Sequence, residues 1–267
     1  MAVPFYSQRS LHVEIYASRT AGMPAIEGDA QFYLELAQNA PGPALELGCG
    51  TGRLLLSLAR EGIEVTGLDR SKAMLEMAAE FVARAPGSVQ QRIHLAAGDM
   101  TDFDLGRQFG LIYIAFRSFM MLTTPELQRA CLDRCLAHLR PGGLLAIDIF
   151  DPQLDRLMPD YEVPAPVGLG LIPHPKTFNL VSVEVVSRTN DTVNQVFEEC
   201  WRFTEGTRDG TILRREEESL RMRWTYRNEM RYLLELAGFE VLAEYSDYFK
   251  SPPAYGLEQV WVARKPA

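Results

Sequence analysis

The chain has 267 residues, 47% of them hydrophobic and 23% charged. That composition excludes a disordered or collagen-like protein and allows one large domain or two small ones. Lys and Arg number 27 against 35 Asp and Glu, a formal charge of −8, so a non-specific nucleic-acid or anionic-membrane binder is not expected. No apolar run reaches the roughly 18 residues of a membrane span. The N-terminus lacks a basic stretch followed by an apolar one, and 4 scattered cysteines make no disulfide framework. A reducing cytoplasm is the expected compartment.

In chain order, residues 1–40 hold Tyr6, His12 and Tyr16 ahead of a helical run at 31–38, and are expected to form a lid segment. Residues 41–150 alternate short apolar runs (44–47, 63–68, 92–97, 111–115, 144–150) with helical patterns (53–61, 71–84, 125–139). Such alternation marks βαβ units and a doubly wound α/β sheet. Gly62 stops the first helix, Ser71 caps the second, and Thr124-Pro125 starts the third. Pro141-Gly142-Gly143 reads as a turn into the fifth strand. Residues 151–224 read as an insertion. Pro152, Pro159, Pro164, Pro166, Pro173 and Pro175 mark a stretch without regular pattern. Three strand-like segments follow, at 178–188, 193–205 and 211–224, and predict an antiparallel β-meander. Residues 225–267 return to the core with a helix at 226–237, capped by Thr225 and stopped by Gly238, and strands at 239–245 and 259–264.

The chemistry concentrates at Glu46-Leu47-Gly48-Cys49-Gly50-Thr51-Gly52-Arg53, which runs from a strand into a helix. Alternate glycines let the backbone turn tightly and approach a ligand, and the helix start offers N–H groups to an accepting or negative group. Asp69 ends the second strand, 69 − 52 = 17 residues beyond Gly52, close to the offset of roughly 20 at which a carboxylate meets ribose hydroxyls in such folds. Asp99 ends the third. Strand ends of a doubly wound sheet share one crevice, so Glu46, Asp69 and Asp99 are expected together. Three carboxylates suit a ligand with hydroxyls, an amine and a positive charge. The G-x-G-x-G spacing and this acidity weigh against a nicotinamide dinucleotide.

These residues resemble the class I S-adenosylmethionine-dependent methyltransferases. The resemblance rests on ELGCGTGR at 46–53, GLDRSKAM at 67–74, AGDM at 97–100 and LRPGGLLA at 139–146. It implies a Rossmann-like sheet of seven strands in the order 3-2-1-4-5-7-6, with the last antiparallel, and S-adenosyl-L-methionine as cofactor. It further implies that Gly48, Gly50 and Gly52, with Glu46, Cys49 and Arg53 in the same motif, surround the methionine and ribose portions. Asp69 with Arg70 would meet the ribose, Met74 the adenine face, Asp99 and Met100 the adenine edge. Phe116 and Arg117 would face the methionine moiety and the acceptor. The layout is similar to small-molecule N-methyltransferases, which place a sheet before the final helix and use an N-terminal lid. The implied reaction is in-line methyl transfer to a small-molecule acceptor, an amine first. The alternatives are an O-methyltransferase, or a non-catalytic binding module whose meander meets a partner. No metal is expected, and a homodimer is compatible with the meander's strand edges.

Tyr16 and Phe116 are candidates to face the sulfonium by cation–π attraction. Arg117 is read as binding an acceptor carboxylate or bridging a surface acid. His94 reads as structural on a core strand, and His138 as a cation favoured by a helix C-terminus. His12 and His174 fall in irregular segments. Cys131, Cys135 and His138 share a helical face and read as core packing; Phe197, Trp201, Phe203 and Trp224 read as covering the sheet's own core, with the lining of an acceptor pocket as the alternative.

Overall fold

The computed structural model describes residues 2–163 and 167–267; Met1 of the expected lid and Pro164 and Pro166 of the expected irregular stretch lie outside the described residues. The chain begins with β1 (Val3–Pro4), α1 (Leu11–Thr20) and α2 (Asp29–Asn39). The α/β core follows as β2 (Ala44–Leu47), α3 (Arg53–Arg60), β3 (Val65–Asp69), α4 (Lys72–Val82), the short α5 (Gly87–Gln90), β4 (Ile93–Ala97), β5 (Phe109–Ile114), α6 (Pro125–His138) and β6 (Leu139–Phe150). The insertion is β7 (Val167–Pro173), β8 (Leu180–Asp191), β9 (Val196–Gly206) and β10 (Ile212–Arg223). The chain closes with α7 (Arg227–Leu236), β11 (Glu240–Tyr245) and β12 (Glu258–Arg264).

The larger sheet has the order β11-β12-β6-β5-β2-β3-β4. Counted along the core strands alone this is 3-2-1-4-5-7-6, with β12 antiparallel to β6, as the resemblance implied. Parallel strands buried on both faces read as continuous apolar runs, and β2, β3 and β5 are buried at every residue. Two apolar clusters cover the two faces. One gathers Leu45, Ile112, Ile147, Phe119, Trp224 and Trp261, the other Phe32, Tyr33, Leu55, Leu58, Tyr113 and Val260.

Several elements depart from the sequence reading. The insertion is a five-stranded sheet, β1-β10-β9-β8-β7, because the proline-rich stretch contributes β7 as an edge strand and the N-terminus adds β1 beside β10. Prolines mask strands but are tolerated at edges, where no ladder N–H is needed. Residues 11–20 form a full helix, capped where the Ser10 hydroxyl accepts from Val13 N–H. Pro141-Gly142-Gly143 lies inside β6, which starts directly after α6. Tyr226, not Thr225, caps α7, and its N–H donates to Glu229 at 3.1 Å. His94 is exposed on the edge strand β4, 3.6 Å from Glu64. Cys131 and Cys135 are fully buried in the core, as are Phe197, Phe203 and Trp224; Trp201 is only half-buried. His138 is also buried, bonded to the Arg134 carbonyl and the Leu105 N–H.

β5 enters the sheet beneath the 41–43 turn, where a Cβ on Gly110 would stand 2.6 Å from the Pro41 carbonyl oxygen. Backbone cannot yield as a flexible side chain can, so Gly110→Ala is expected to cost about 1–3 kcal/mol, read as a lowered thermal midpoint.

Candidate active site

The parallel register brings the strand ends to one level. Leu47 pairs with Leu68 and Asp69 with Ala97, so Gly48, Arg70 and Gly98 leave the sheet side by side. A cavity of about 590 Å³ opens there. Its walls include Gly48, Gly50, Asp69, Arg70, Met74, Asp99, Met100, Phe116 and Arg117 from the core, and Tyr6, Tyr16 and Arg19 from the N-terminal segment.

Asp69 organises this edge. Its Oδ2 accepts from Gly50 N–H at 2.8 Å and its Oδ1 from Ser71 N–H at 2.8 Å, so one carboxylate joins the glycine loop to the start of α4. Burial pushes its pKa up, and the N–H groups of Ser71 and Gly50 oppose that shift. The loop takes φ of 75°, 53° and 78° at Gly48, Gly50 and Gly52, a region that side chains resist. A Cβ on Gly50 would stand 3.3 Å from Met74 Cε and 4.0 Å from Tyr16 Cε1, in the space the cavity occupies. Asp99 is exposed at the rim, its Oδ1 accepting from the Thr101 N–H and hydroxyl at 2.8 and 2.7 Å.

Four of the expected residues do not line the cavity. Glu46 is buried below it, where Tyr113 OH donates to its Oε2 at 3.2 Å. Burial pushes the Glu46 pKa well up, with Arg53 working against the shift. The expected meeting of three strand-end carboxylates therefore reduces to two, Asp69 and Asp99. Cys49 is buried against the backbone of Gly67. Gly52 caps α3 in a left-handed conformation, and Arg53 pairs with Asp29 of α2. These residues shape the loop from behind.

Past β5, Phe116 and Arg117 turn with φ of 51° and 65°. The buried Asp148 holds that turn. Its Oδ1 accepts from Phe116 N–H at 2.8 Å and from Tyr33 OH at 2.7 Å, and its Oδ2 from Arg117 N–H at 2.9 Å. The Arg117 side chain lines this cavity and a smaller neighbouring one, pairs with the largely buried Glu258 of β12 through Nε and Nη2 and packs over Phe150 at 5.5 Å.

The sequence reading missed α1 as a source of site residues beyond Tyr16. Its His12 is fully buried, stacked on Phe203 at 4.7 Å and bonded through Nδ1 to Glu218 of β10 at 3.1 Å. Leu11 N–H donates to Glu216 at 2.7 Å, and Glu14 meets both Arg214 and His174. The meander thus grips α1 and sets Tyr16 over the glycine loop. Alternation of His12, Tyr16 and Arg19 at spacings of four and three was the available signal.

A second cavity of about 250 Å³ lies between the core and the meander. It shares Arg117, Trp201, Leu220 and Met222 with the first. Its carboxylates are each paired: Glu258 with Arg117, Glu199 with Arg188 at 3.0 Å, and Asp151 with Arg227 at 3.2 Å.

Residues 44–143 match the family model described as a methyltransferase domain. An N,N-dimethyltransferase of dTDP-4-amino-2,3,4,6-tetradeoxy-D-glucose from Saccharopolyspora spinosa is 37% identical over 105 residues, 39% of this chain and 39% of that protein. The corresponding enzyme for dTDP-3-amino-3,4,6-trideoxy-alpha-D-glucopyranose from Streptomyces venezuelae is 35% identical over 104 residues, 39% of this chain and 40% of that protein. The matched stretch thus spans about two fifths of these relatives. Whole-chain likeness appears among solved structures. The CcbJ methyltransferase of Streptomyces caelestis superposes with a TM-score of 0.77 over 99% of both chains at 24% identity, a likeness of fold. CalS10, an amino pentose methyltransferase of Micromonospora echinaspora, gives 0.69 over 97% of this chain and 98% of its own at 26% identity.

Burial moves the His12 pKa from its usual 6.5 down to about 4, against the pull of Glu218. Between those values the unfolded chain binds more protons than the native one, so this contribution to stability is lost as pH falls from 6.5 toward 4. His12→Gln is expected to flatten the acid limb of the thermal midpoint against pH relative to the unmodified protein, checked by melts from pH 7 to 4.5.

Residues 44–143 thus match a methyltransferase domain, and the chain as a whole shares its fold with solved methyltransferases.

Proposed function

We propose that this chain transfers a methyl group from S-adenosylmethionine to the amine of a small molecule. The observation that carries the reading is the joining of two cavities at one strand edge: a large one walled by Asp69 and the glycine loop, and a smaller one facing the meander. The residues present fit the cofactor. Asp69 has lone pairs left for a ribose diol after accepting from Gly50 and Ser71. Met74 and Met100 offer apolar walls for an adenine, and the bare Cα of Gly50 leaves the space that a side chain would fill. When bound, the cofactor supplies an already activated methyl on a sulfonium.

The chain's own residues then position and shield. The rings of Tyr16 and Phe116 line the cavity where they can face a cation. Burial pushes the Tyr16 hydroxyl up to about 12, so it remains a donor at neutral pH and does not act as a base. Among the described residues no imidazole lines either cavity, and the acceptor-side carboxylates are held by arginines. A hydroxyl acceptor must lose its proton as it reacts, whereas a neutral amine brings a free lone pair. The wall chemistry therefore favours an amine over a hydroxyl. Relatives named as amino-sugar N,N-dimethyltransferases support an amino sugar or a similarly polar amine, met on the meander side. A homodimer and a cytoplasmic setting stand as expectations; no helix of the described residues is long and apolar enough to cross a membrane.

Calorimetric titration with S-adenosylhomocysteine and with NAD tests the reading. Binding of S-adenosylhomocysteine alone is expected, and binding of NAD alone rejects the assignment. Asp69→Ala is expected to weaken S-adenosylhomocysteine at least tenfold; an unchanged affinity removes Asp69 from the ribose role. With an amine acceptor, kcat/KM is expected to rise with pH until the acceptor's own ammonium is deprotonated, without an inflection from an enzyme imidazole near 6.5.

A further inference from the structure

The smaller cavity has two ends of different character. At its inner end Arg117, Trp201, Leu220 and Met222 are shared with the large cavity, so the reacting amine of an acceptor must lie there. Its outer end is built by two loops, the turn after β6 and the segment leading into β12, which supply Gln153, Leu157, Gly256 and Leu257. Its volume of about 250 Å³ is below the roughly 300–1,000 Å³ of sites that enclose a drug-sized molecule. An acceptor of that size therefore extends past these loops.

The two loops are locked together. The Gln153 amide donates to the Gly256 carbonyl at 2.9 Å, the Leu154 N–H to the Tyr255 hydroxyl at 2.9 Å, and the Asp151 N–H to the Leu257 carbonyl at 2.9 Å. The Asp151 carboxylate accepts in turn from Gly256 N–H at 2.8 Å. Gly256 takes a φ of 76°, and a Cβ there would stand 3.1 Å from Gln153 Nε2, so its bare Cα lets the loops close. On the meander side the Asn190 amide donates to the Arg156 and Met158 carbonyls at 3.0 and 2.8 Å.

This fixed rim carries apolar side chains outward. Leu154, Met158, Tyr255 and Leu257 are each more than half exposed. Single exposed apolar residues are ordinary, whereas several gathered at the mouth of a cavity mark a binding surface. The inner end differs, with Glu258 paired to Arg117 and Glu199 to Arg188. From the inner end outward, a ligand meets ion pairs first and apolar side chains last.

We propose that the acceptor is an amphipathic amine: its amine-bearing polar part enters the smaller cavity, and its apolar or aromatic appendage rests on Leu154, Met158, Tyr255 and Leu257. The proposal rests on the methyl-transfer reading and adds to it the chemistry of the acceptor's far end. Continuity fixes the occupant, since Leu257 belongs to both the cavity wall and the exposed rim.

Calorimetry with S-adenosylhomocysteine already bound compares the methyl and phenyl glycosides of glucosamine, which share the amine and differ in the appendage. The phenyl glycoside is expected to bind at least fivefold tighter. The double variant Leu154→Ser, Met158→Ser changes side chains outside both cavity walls. It is expected to cut that preference below twofold and to hold the methyl glycoside within twofold of its original affinity. Leu236→Ser, at an exposed leucine of α7, is expected to keep the preference intact. Equal affinity for the two glycosides, binding of neither, or a preference untouched by the double variant overturns the proposal. A dimer that dissociates in the double variant gives the rim to a second copy and also overturns it. So does binding to phosphatidylcholine vesicles that the double variant abolishes, which gives the rim to a lipid surface. If S-adenosylhomocysteine itself does not bind, the methyl-transfer reading has failed, which is a different result.

Discussion

The arrangement of the site depends on a single carboxylate at the end of β3. Asp69 is nearly buried, yet it accepts N–H groups from two separate loops, Gly50 on one side and Ser71 on the other. Such charge-assisted bonds in a low-dielectric setting are short and strong. They fix the glycine loop against α4, where the Ser71 hydroxyl caps the helix by accepting from Met74 N–H and donates in turn to the Tyr6 carbonyl. The glycine loop, α4 and the N-terminal segment are therefore tied through Asp69 at the end of β3 and Ser71 two residues on. A change at Asp69 would alter the shape of the cavity wall it belongs to.

A second buried carboxylate does the equivalent work across the sheet. Asp148 holds Phe116 and Arg117 in a left-handed turn that non-glycine residues seldom adopt. Three donors satisfy it, so its burial leaves no orphaned charge. The consequence is a cavity whose floor is built from backbone held by carboxylates, while its roof is made of side chains from α1 and β9. The roof is attached to the meander by ion pairs and hydrogen bonds around Glu14, Glu216 and Glu218. Floor and roof thus belong to different sheets, and the ligand space is the seam between them.

The smaller cavity has a distinct electrostatic character. Where the large cavity has Arg19 at its wall with a buried Nε left without a partner, the smaller one has its acids neutralised by Arg117, Arg188 and Arg227. Paired charges present donors and acceptors without a strong net field.

The α/β alternation and the place of Asp69 at a strand end were legible from local patterns, whereas the order of the seven core strands and the cavity positions of Met74 and Phe116 came from the resemblance to a known family. Buried parallel strands, helix caps and glycine spacing are written within a few residues of one another, and each strand-helix unit has one favoured hand. The amino-acid sequence alone also determined that Asp69 and Asp99 leave the sheet at the same edge. Tertiary structure decided the rest. It placed Glu46 beneath the cavity instead of in it, because the register of β2 against β5 sets Glu46 beside Tyr113. It gave Arg117 to Glu258, 141 residues away. It made a wall of Arg19 by laying α1 on β9 and β10. Such pairings join residues far apart in the chain, and local periodicity carries no information about which distant carboxylate a cation will meet.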